Sequence, residues 1–273
     1  MILRCKDQLI DLKIPKIAGI LNLTTDSFYD GGKYNSSSRA LKQAEQMLNE
    51  GADFIDVGAS SSKPGAAVSG ADEEKTRLFP ILEALLKAFP EAYFSVDTYH
   101  SCVAEGSLQR GVALINDISG GQMDQKMFET VAKYKAPYVL THLQGIPTAM
   151  QQNPTYTNVV EEVLLYFSKK IKAAQHAGID DVIVDPGFGF GKTLAHNYSL
   201  LQHLDLFHTL GCPIMVGVSR KSMIYKLLDT TPQEALNGST VLHTVALQKG
   251  AQLLRVHDVK MAKECVLLLQ ALQ

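Results

Sequence analysis

The polar side chains best suited to bind a ligand stand at the ends of apolar segments in this sequence. They are Asn22, Asp56, Asp97, Asn116, His142, Asp185, Lys221, Arg255 and His257. The segments are otherwise rich in Val, Ile and Leu, and burying one unpaired carboxylate or amide costs on the order of 1–3 kcal/mol. We therefore expect these groups to meet around a ligand, although each one alone is also compatible with a strand end bonded to loop backbone.

The chemistry of this set indicates a flat, hydrogen-bonding ring that carries an anionic tail. The acids and the amide offer acceptors to ring N–H groups, whereas the cations and the imidazole donate to anions or ring oxygens. The acceptors are Asp97, Asn116 and Asp185, and the donors are Lys221, Arg255 and His257. Oxygen ligands from Asn22 and the acids suit a hard cation such as Mg²⁺. No Ser-His-Asp order or H-E-x-x-H helix supports hydrolase chemistry.

Residues 182–193, VIVDPGFGFGKT, combine a buried strand, the acid Asp185 and a glycine-rich loop. A phosphate-binding P-loop ending at Thr193 would need glycine at position 186, which is proline. The glycines follow the pattern G-x-G-x-G, which is not the dinucleotide motif G-x-G-x-x-G. The loop is thus predicted to approach a ring closely, with Lys192 outside the phosphate site, where Arg255 and His257 bind the anionic tail. A simple glycine-rich turn remains the alternative.

Strand-like and helix-like segments alternate along the whole chain and can position these groups. The predicted strands cover 17–23, 54–58, 93–98, 113–119, 138–142, 182–185, 214–219 and 252–256. The predicted helices cover 38–50, 71–88, 99–109, 123–134, 158–177, 198–210 and 259–272, with further helical segments up to Lys249. Eight such units indicate a single α/β domain, 1–273, folded as a closed (β/α)8 TIM barrel with its site at the carboxyl ends of the strands. An open doubly wound sheet is the alternative, because periodicity does not report closure.

Composition narrows the possible partners and the compartment. The 273 residues include 46% hydrophobic side chains and carry a net charge of −2, so neither nucleic acid nor a membrane is expected as a partner. The four cysteines lack a C-x-x-C pair, which fits a reducing compartment. The N-terminus interleaves charged and apolar residues, and no apolar run reaches the roughly 18 residues of a membrane span. We therefore expect a cytoplasmic protein without a signal peptide.

Eight motifs in the same order resemble those of dihydropteroate synthase, a pterin-binding family. They are GILNLTTDSFYDGG (19–32), DVGASSSKPGA (56–66), SVDT (95–98), INDISGG (115–121), THLQGIPTAMQ (141–151), VDPGFGFGKTLAHNYSLL (184–201), VGVSRKSMI (216–224) and LLRVHDVK (253–260). The resemblance covers nearly the whole chain. It implies a (β/α)8 barrel, commonly dimeric, that joins 6-hydroxymethyl-7,8-dihydropterin diphosphate to p-aminobenzoate with Mg²⁺. The products are 7,8-dihydropteroate and diphosphate.

The resemblance also implies roles for individual residues. Asp97, Asp185 and Lys221 take the catalytic roles, and they hold the pterin together with Asn116. Diphosphate and Mg²⁺ fall to Asn22, Arg255 and His257, with Asn22 as the metal ligand. The first two loops, residues 24–38 and 59–70, close over the site in this family. The implied p-aminobenzoate pocket comprises Phe28, Ser62, Lys63, Pro64, Gly189, Phe190, Lys221 and Ser222. A candidate dimer surface is the apolar face of the last helix, which contains Val266, Leu267 and Leu269.

The two loops depart from the family pattern. Position 25 is Thr where the family usually has a proline that stiffens the loop. In the second loop, Ser60-Ser61-Ser62-Lys63 replaces the usual E-S-T-R, so an acid and a methyl group are missing and a bidentate guanidinium has become a point charge. We expect turnover with altered affinity for p-aminobenzoate and sulfonamides.

Three other functions fit parts of the pattern. A methyltransferase that moves a methyl group from methyltetrahydrofolate to a corrinoid shares the pterin-holding acids, but does not require the anion site at Arg255 and His257. A paralogue that only binds pterin is suggested by the second-loop departures. A kinase is suggested by Gly191-Lys192-Thr193 and predicts ATP binding, which we do not expect.

Overall fold

A computed structural model describes residues 1–23, 32–59, 70–145, 150–151 and 153–272, with the backbone alone for 32–36. Eight parallel strands form one sheet, and helices pack around its outer surface. The strands of this sheet are β3 (Lys16–Asn22), β4 (Phe54–Gly58), β5 (Tyr93–Asp97), β6 (Leu114–Asp117), β7 (Tyr138–Thr141), β8 (Val182–Asp185), β9 (Met215–Val216) and β10 (Leu253–Val256). Their order, β8-β7-β6-β5-β4-β3-β10-β9, follows the chain around a ring.

The ring closes between β8 and β9. Val184 forms an isolated parallel bridge with Ile214, and its N–H donates to the Pro213 carbonyl at 2.9 Å. Closure leaves no sheet edge, and the carboxyl ends of all the strands meet at one end of the barrel. The predicted (β/α)8 fold is therefore confirmed over the open alternative.

The helices bury one apolar face against the sheet. They are α1 (Gly32–Asn49), α2 (Ala71–Ala88), α3 (Ser101–Gln109), α4 (Met127–Lys133), α5 (Val159–His176), α6 (Leu194–Gln202), α7 (Ser222–Tyr225), α8 (Leu236–Gln248) and α9 (Val259–Gln270). In α2, for example, Leu78, Ile81, Leu82 and Leu85 recur at helical spacing and are fully or almost fully buried. No helix in the described part of the chain is long and apolar enough to cross a membrane.

An N-terminal hairpin, absent from the sequence prediction, covers the amino-terminal end of the barrel. Its strands β1 (Ile2–Cys5) and β2 (Gln8–Asp11) pair antiparallel. Leu3 and Cys5 point inward and join a separate buried cluster with the first residues of several barrel strands. The hairpin therefore seals the end of the barrel opposite the predicted site.

Some predicted boundaries differ from the structure. The helix expected at 198–210 begins earlier, at Leu194, and its second half is a 3₁₀ helix, Leu204–Leu210. A capping box explains the early start: Thr193 Oγ1 accepts from His196 N, and His196 Nδ1 accepts from Thr193 N, both at 3.2 Å. The strand expected at 214–219 is only two residues long in β9, and the helix expected at 38–50 begins at Gly32.

Candidate active site

A hydrogen-bonded set of acids and one arginine fills the carboxyl end of the barrel. Arg255 on β10 donates from Nε to Asp56 Oδ2 at 2.6 Å and from Nη2 to Asp97 Oδ2 at 2.8 Å. Asn116 on β6 donates from Nδ2 to Asp56 Oδ2 at 3.0 Å, and Ser95 donates to the other oxygen of Asp56. The bonds of Arg255 and Asn116 join strands that are not neighbours in the sheet, so these side chains point into the barrel interior.

Burial favours the uncharged form of the carboxyl group of Asp97. It raises the pKa of Asp97 to about 7, with Arg255 acting in the opposite direction and the neighbouring Asp56 adding to the rise. The Asn116 Oδ1 atom is buried and has no hydrogen-bond partner among the described residues. Such an acceptor is costly unless a ligand supplies an N–H group. The floor of the site therefore offers both an acceptor and a titrating carboxyl group.

The glycine-rich loop after β8 brings backbone against the site. Gly187 and Gly191 have φ values of +71° and +61°, and a Cβ atom on them would lie 2.0 Å from His142 O and 2.5 Å from Gln144 O. Asp185 at the end of β8 accepts a 2.8 Å bond from Gly187 N. Burial raises its pKa, and the nearby Lys221 opposes that rise. The loop thus fixes a buried carboxyl group next to an ammonium group.

Lys221 connects this loop to the segment after β9. Its Nζ donates to the carbonyl of Phe188 and lies 4.4 Å from the centre of the Phe190 ring. Burial lowers its pKa to about 8, and Asp185 opposes that shift. A Cβ atom on Gly217 would lie 3.8 Å from Arg255 Cβ and 3.9 Å from both Asp185 Oδ2 and Lys221 Nζ. Arg255, Lys221 and Asp185 therefore surround Gly217, and the space between them holds no side chain from that position.

An open cavity of about 950 Å³ leads from these groups to the protein surface. Asn22 and His257 line it and are exposed. The backbone N–H of His257 donates to Ser219 Oγ at 3.2 Å, and the same hydroxyl lies 3.2 Å from His257 Nδ1. Desolvation and the positive charge of Arg255 lower the pKa of His257, so the ring is neutral near pH 7. His257 and Asn22 therefore bring an uncharged imidazole and an amide group to the cavity.

A model of the pterin binding enzyme family matches residues 18–257 of this chain. The chain belongs to the pterin-binding enzyme family. Its relatives include the dihydropteroate synthase of Escherichia coli K12, 44% identical over 264 residues, which covers 96% of this chain and 93% of that protein.

Solved structures of the family have the same fold. The dihydropteroate synthase of Yersinia pestis in a sulfonamide drug complex has a TM-score of 0.93 at 42% identity, covering 100% of this chain and 99% of that one. The enzyme from Thermus thermophilus in complex with 4-aminobenzoate has a TM-score of 0.90 at 38% identity, covering 100% of both chains.

In this pterin-binding enzyme, most of the residues selected from the sequence lie at one end of the barrel. The groups that meet or line the cavity are Asn22, Asp97, Asn116, Asp185, Gly189, Phe190, Lys221, Ser222, Arg255 and His257. Phe28, Ser62, Lys63 and Pro64 lie outside the described residues, as do the departures at positions 25 and 60–63.

Asp56 is central to the site, although the implied site residues did not include it. It contacts Arg255, Asn116 and Ser95 and is almost fully buried. The sequence signal was present, because Asp56 is one of the polar groups in the apolar strand ends. What the sequence lacked was the direction of the Arg255 side chain, which reaches inward to the acids.

Proposed function

We propose that this chain catalyses the dihydropteroate synthase reaction, joining 6-hydroxymethyl-7,8-dihydropterin diphosphate to p-aminobenzoate in folate synthesis. The observation that carries the proposal is the buried Asn116 Oδ1 acceptor, set beside Asp56, Asp97 and Arg255 under an open cavity. A pterin ring presents N–H donors along one edge and a carbonyl oxygen on another, which matches acceptors flanked by cations.

The pterin is held by four groups in this proposal. Asp97, Asn116 and Asp185 accept from its N–H groups, and Lys221 donates to a ring oxygen or nitrogen. Asp97 and Asp185 also stabilise positive charge that develops on the ring as the C–O bond to diphosphate breaks. Diphosphate leaves with the electron pair of the broken C–O bond, and the amine nitrogen of p-aminobenzoate then forms the new C–N bond and loses a proton. The arylamine is already a neutral nucleophile and needs no strong base.

Diphosphate binds at the mouth of the cavity, next to Arg255, His257 and Asn22. Because the Ser219 hydroxyl accepts the backbone N–H of His257, its own proton is available for Nδ1. That arrangement leaves an Nε2–H group on the neutral imidazole to donate to a phosphate oxygen.

The donor set at the mouth also fits Mg²⁺. No group of three or more His, Cys, Asp or Glu side chains able to hold a metal occurs in the described ranges. Mg²⁺ commonly keeps several waters and binds substrate phosphates with one or two protein oxygens, so the exposed Asn22 amide suffices as its protein ligand. When bound, the ion neutralises charge on the departing diphosphate.

The second substrate occupies the outer part of the cavity. Gly189, Phe190 and Ser222 line it beside Lys221. We assign the remainder of the p-aminobenzoate pocket to Phe28, Ser62, Lys63 and Pro64. We also propose a single functional domain, 1–273, a cytoplasmic location and a homodimer. The exposed Leu267 on α9 supports a dimer contact on that helix.

Release of diphosphate tests the function directly. The purified chain is mixed with the dihydropterin diphosphate, p-aminobenzoate and Mg²⁺, and diphosphate and dihydropteroate are quantified. We expect both products in equal amounts, with a rate that falls when EDTA removes Mg²⁺. Pterin binding without release would instead indicate a binding paralogue, and methyl transfer from methyltetrahydrofolate would indicate a corrinoid methyltransferase.

A further inference from the structure

A lysine that the proposed reaction does not use is enclosed by the glycine-rich loop. Lys192 is only 3% exposed although it immediately follows the loop. Its Nζ atom lies 2.9 Å from the carbonyl oxygens of Gly187 and Phe190, 2.9 Å from His142 Nδ1 and 3.3 Å from His142 O. Burial lowers the pKa of Lys192, and Asp185 opposes that shift. The four acceptor atoms around Nζ favour the ammonium form, whose three N–H groups they can all use.

The imidazole of His142 is suited to accept from this lysine. Burial and the charge of Lys192 lower the pKa of His142 to about 2, so the ring is neutral and its Nδ1 lone pair is available. The ring packs edge-on against Tyr166, with the ring centres 4.8 Å apart. Lys192 therefore ties the loop after β8 to a fixed side chain at the end of β7.

The enclosed ammonium sets the orientation of the loop carbonyls. The carbonyls of Gly187 and Phe190 point to Lys192, and the Gly187 carbonyl also accepts from Phe190 N at 3.0 Å. The carbonyl between them, that of Phe188, accepts from Lys221. The same turn places the Phe190 ring 4.4 Å from Lys221 Nζ.

Three neutral side chains also form hydrogen bonds with the backbone of the loop. Gln151 donates to the Gly189 carbonyl, and Tyr156 Oη donates to the Gly191 carbonyl at 2.9 Å. Asn197 accepts from Gly189 N at 2.7 Å. These neutral bonds hold the outer side of the loop, whereas Lys192 brings a cation to the Gly187 and Phe190 carbonyls and Lys221 brings one to the Phe188 carbonyl.

We propose that Lys192 is a positioning residue for the second substrate: its ammonium group holds the 187–190 turn in the form that presents the Phe190 ring and Lys221 to p-aminobenzoate. This inference rests on the proposed function. Lys192 does not touch the reacting atoms, and its effect is transmitted through the Gly187 and Phe190 carbonyls. Two of the four pterin-holding groups, Asp97 and Asn116, lie on other strands and make no bond to this turn, whereas Asp185 and Lys221 bond to Gly187 N and the Phe188 carbonyl.

Kinetics of Lys192→Met test the proposal, because methionine keeps much of the side-chain volume and removes the cation. We expect the KM for p-aminobenzoate to rise about 10-fold, equivalent to about 1.4 kcal/mol. The Kd for 6-hydroxymethylpterin should rise by a smaller factor, up to about 3-fold, because Asp97 and Asn116 stay in place while Asp185 and Lys221 bond to the turn. Lys169→Met, at an exposed position on α5, is the matched control and should leave both constants unchanged.

A rescue experiment separates positioning from general loss of structure. In Lys192→Ala, added propylammonium should restore the KM for p-aminobenzoate, whereas propanol of similar size should not. If Lys192→Met fails to fold, His142→Leu, which removes one acceptor and keeps the cation, should raise the same KM by a smaller factor.

Two results would overturn the inference. One is an unchanged p-aminobenzoate KM in folded variants, and the other is an equal loss of pterin and p-aminobenzoate binding in proportion to lost thermal stability. Failure of the proposed function is distinguishable, because it would abolish diphosphate release in the unmodified protein.

Discussion

Arg255 on β10 donates a 2.8 Å hydrogen bond to Asp97 on β5, and the same guanidinium group also bonds Asp56. One cation thus bonds two buried carboxyl groups inside the barrel. Because arginine stays protonated, it supplies this charge at every accessible pH. The stability of the barrel and the ionisation of the site are therefore coupled through one side chain.

Arg255→Met should destabilise the protein by roughly 3–5 kcal/mol, because it leaves Asp56 and Asp97 buried without their cation. The loss should depend on pH. The pKa of Asp97 is already raised to about 7 in the folded protein, and removal of Arg255 raises it further. A carboxyl group with a raised folded pKa contributes stability below its unfolded pKa and loses it as the pH rises through the folded pKa.

Urea unfolding of this variant at a series of pH values from about 6 to 9 measures the effect. We expect its deficit relative to the unmodified protein to grow as the pH rises above about 7, where Asp97 ionises in the unmodified protein but stays protonated in the variant. A deficit that stays constant across this range would show that Arg255 does not favour the ionised form of Asp97.

Asp97→Asn should flatten the lower side of the pH profile for pterin binding. In the unmodified protein, burial raises the pKa of Asp97 to about 7, so the ionised acceptor is progressively lost below that pH. The affinity for 6-hydroxymethylpterin should therefore fall at lower pH. This ligand lacks diphosphate, which removes the titration of the substrate tail. Isothermal titration from pH 5.5 to 8 checks the result, and an identical pH dependence in Asp97→Asn would exclude Asp97 as its origin.

The fold was predictable because its strands are short apolar runs that end in polar groups. β4 and α2 have the boundaries that the sequence pattern predicted, since Phe54–Gly58 is buried throughout and α2 has a regular apolar face. The N-terminal hairpin was not predicted, because exposed residues such as Ile2 and Leu9 break the alternation expected of a strand pair. The hairpin is stabilised by contacts of Leu3 with the amino-terminal end of the barrel. A sequence pattern does not report such tertiary contacts.

The site was predictable as a set of residues but not as a set of contacts. Strand-end position brings Asp97, Asn116 and Asp185 to one end of any closed barrel. The sequence contains no information on whether a long side chain such as Arg255 reaches inward or toward solvent, so its bonds to two acids were not foreseen. The expectation that Lys192 stands outside the phosphate site stays a prediction. Its acceptors come from the folded loop, whose path no sequence pattern defines.

The loop substitutions carry a separate prediction. Ser62→Thr combined with Lys63→Arg restores a methyl group and a bidentate guanidinium. We expect the double variant to bind p-aminobenzoate and a sulfonamide with altered affinity, by about 1.5 kcal/mol or roughly 10-fold for one recovered charged hydrogen bond. Steady-state kinetics with a sulfonamide as competitor measure both constants. Unchanged values for both ligands would remove these positions from the pocket.

Lys221 should set the upper limit of the pH range in which the pterin binds well. Burial lowers its pKa to about 8, so the ammonium donor is lost as the pH rises through that value. Lys221→Gln keeps a neutral donor and removes the titration, so it should bind 6-hydroxymethylpterin more weakly, with an affinity that no longer falls between pH 7.5 and 9. The reduction should be about 10-fold, as expected for loss of a charged hydrogen bond of roughly 1.5–3 kcal/mol that the amide partly replaces. Lys172→Met, at an exposed site on α5, serves as the control and should retain the fall above pH 8. Persistence of that fall in Lys221→Gln would assign it to another group and remove Lys221 from the pterin donors.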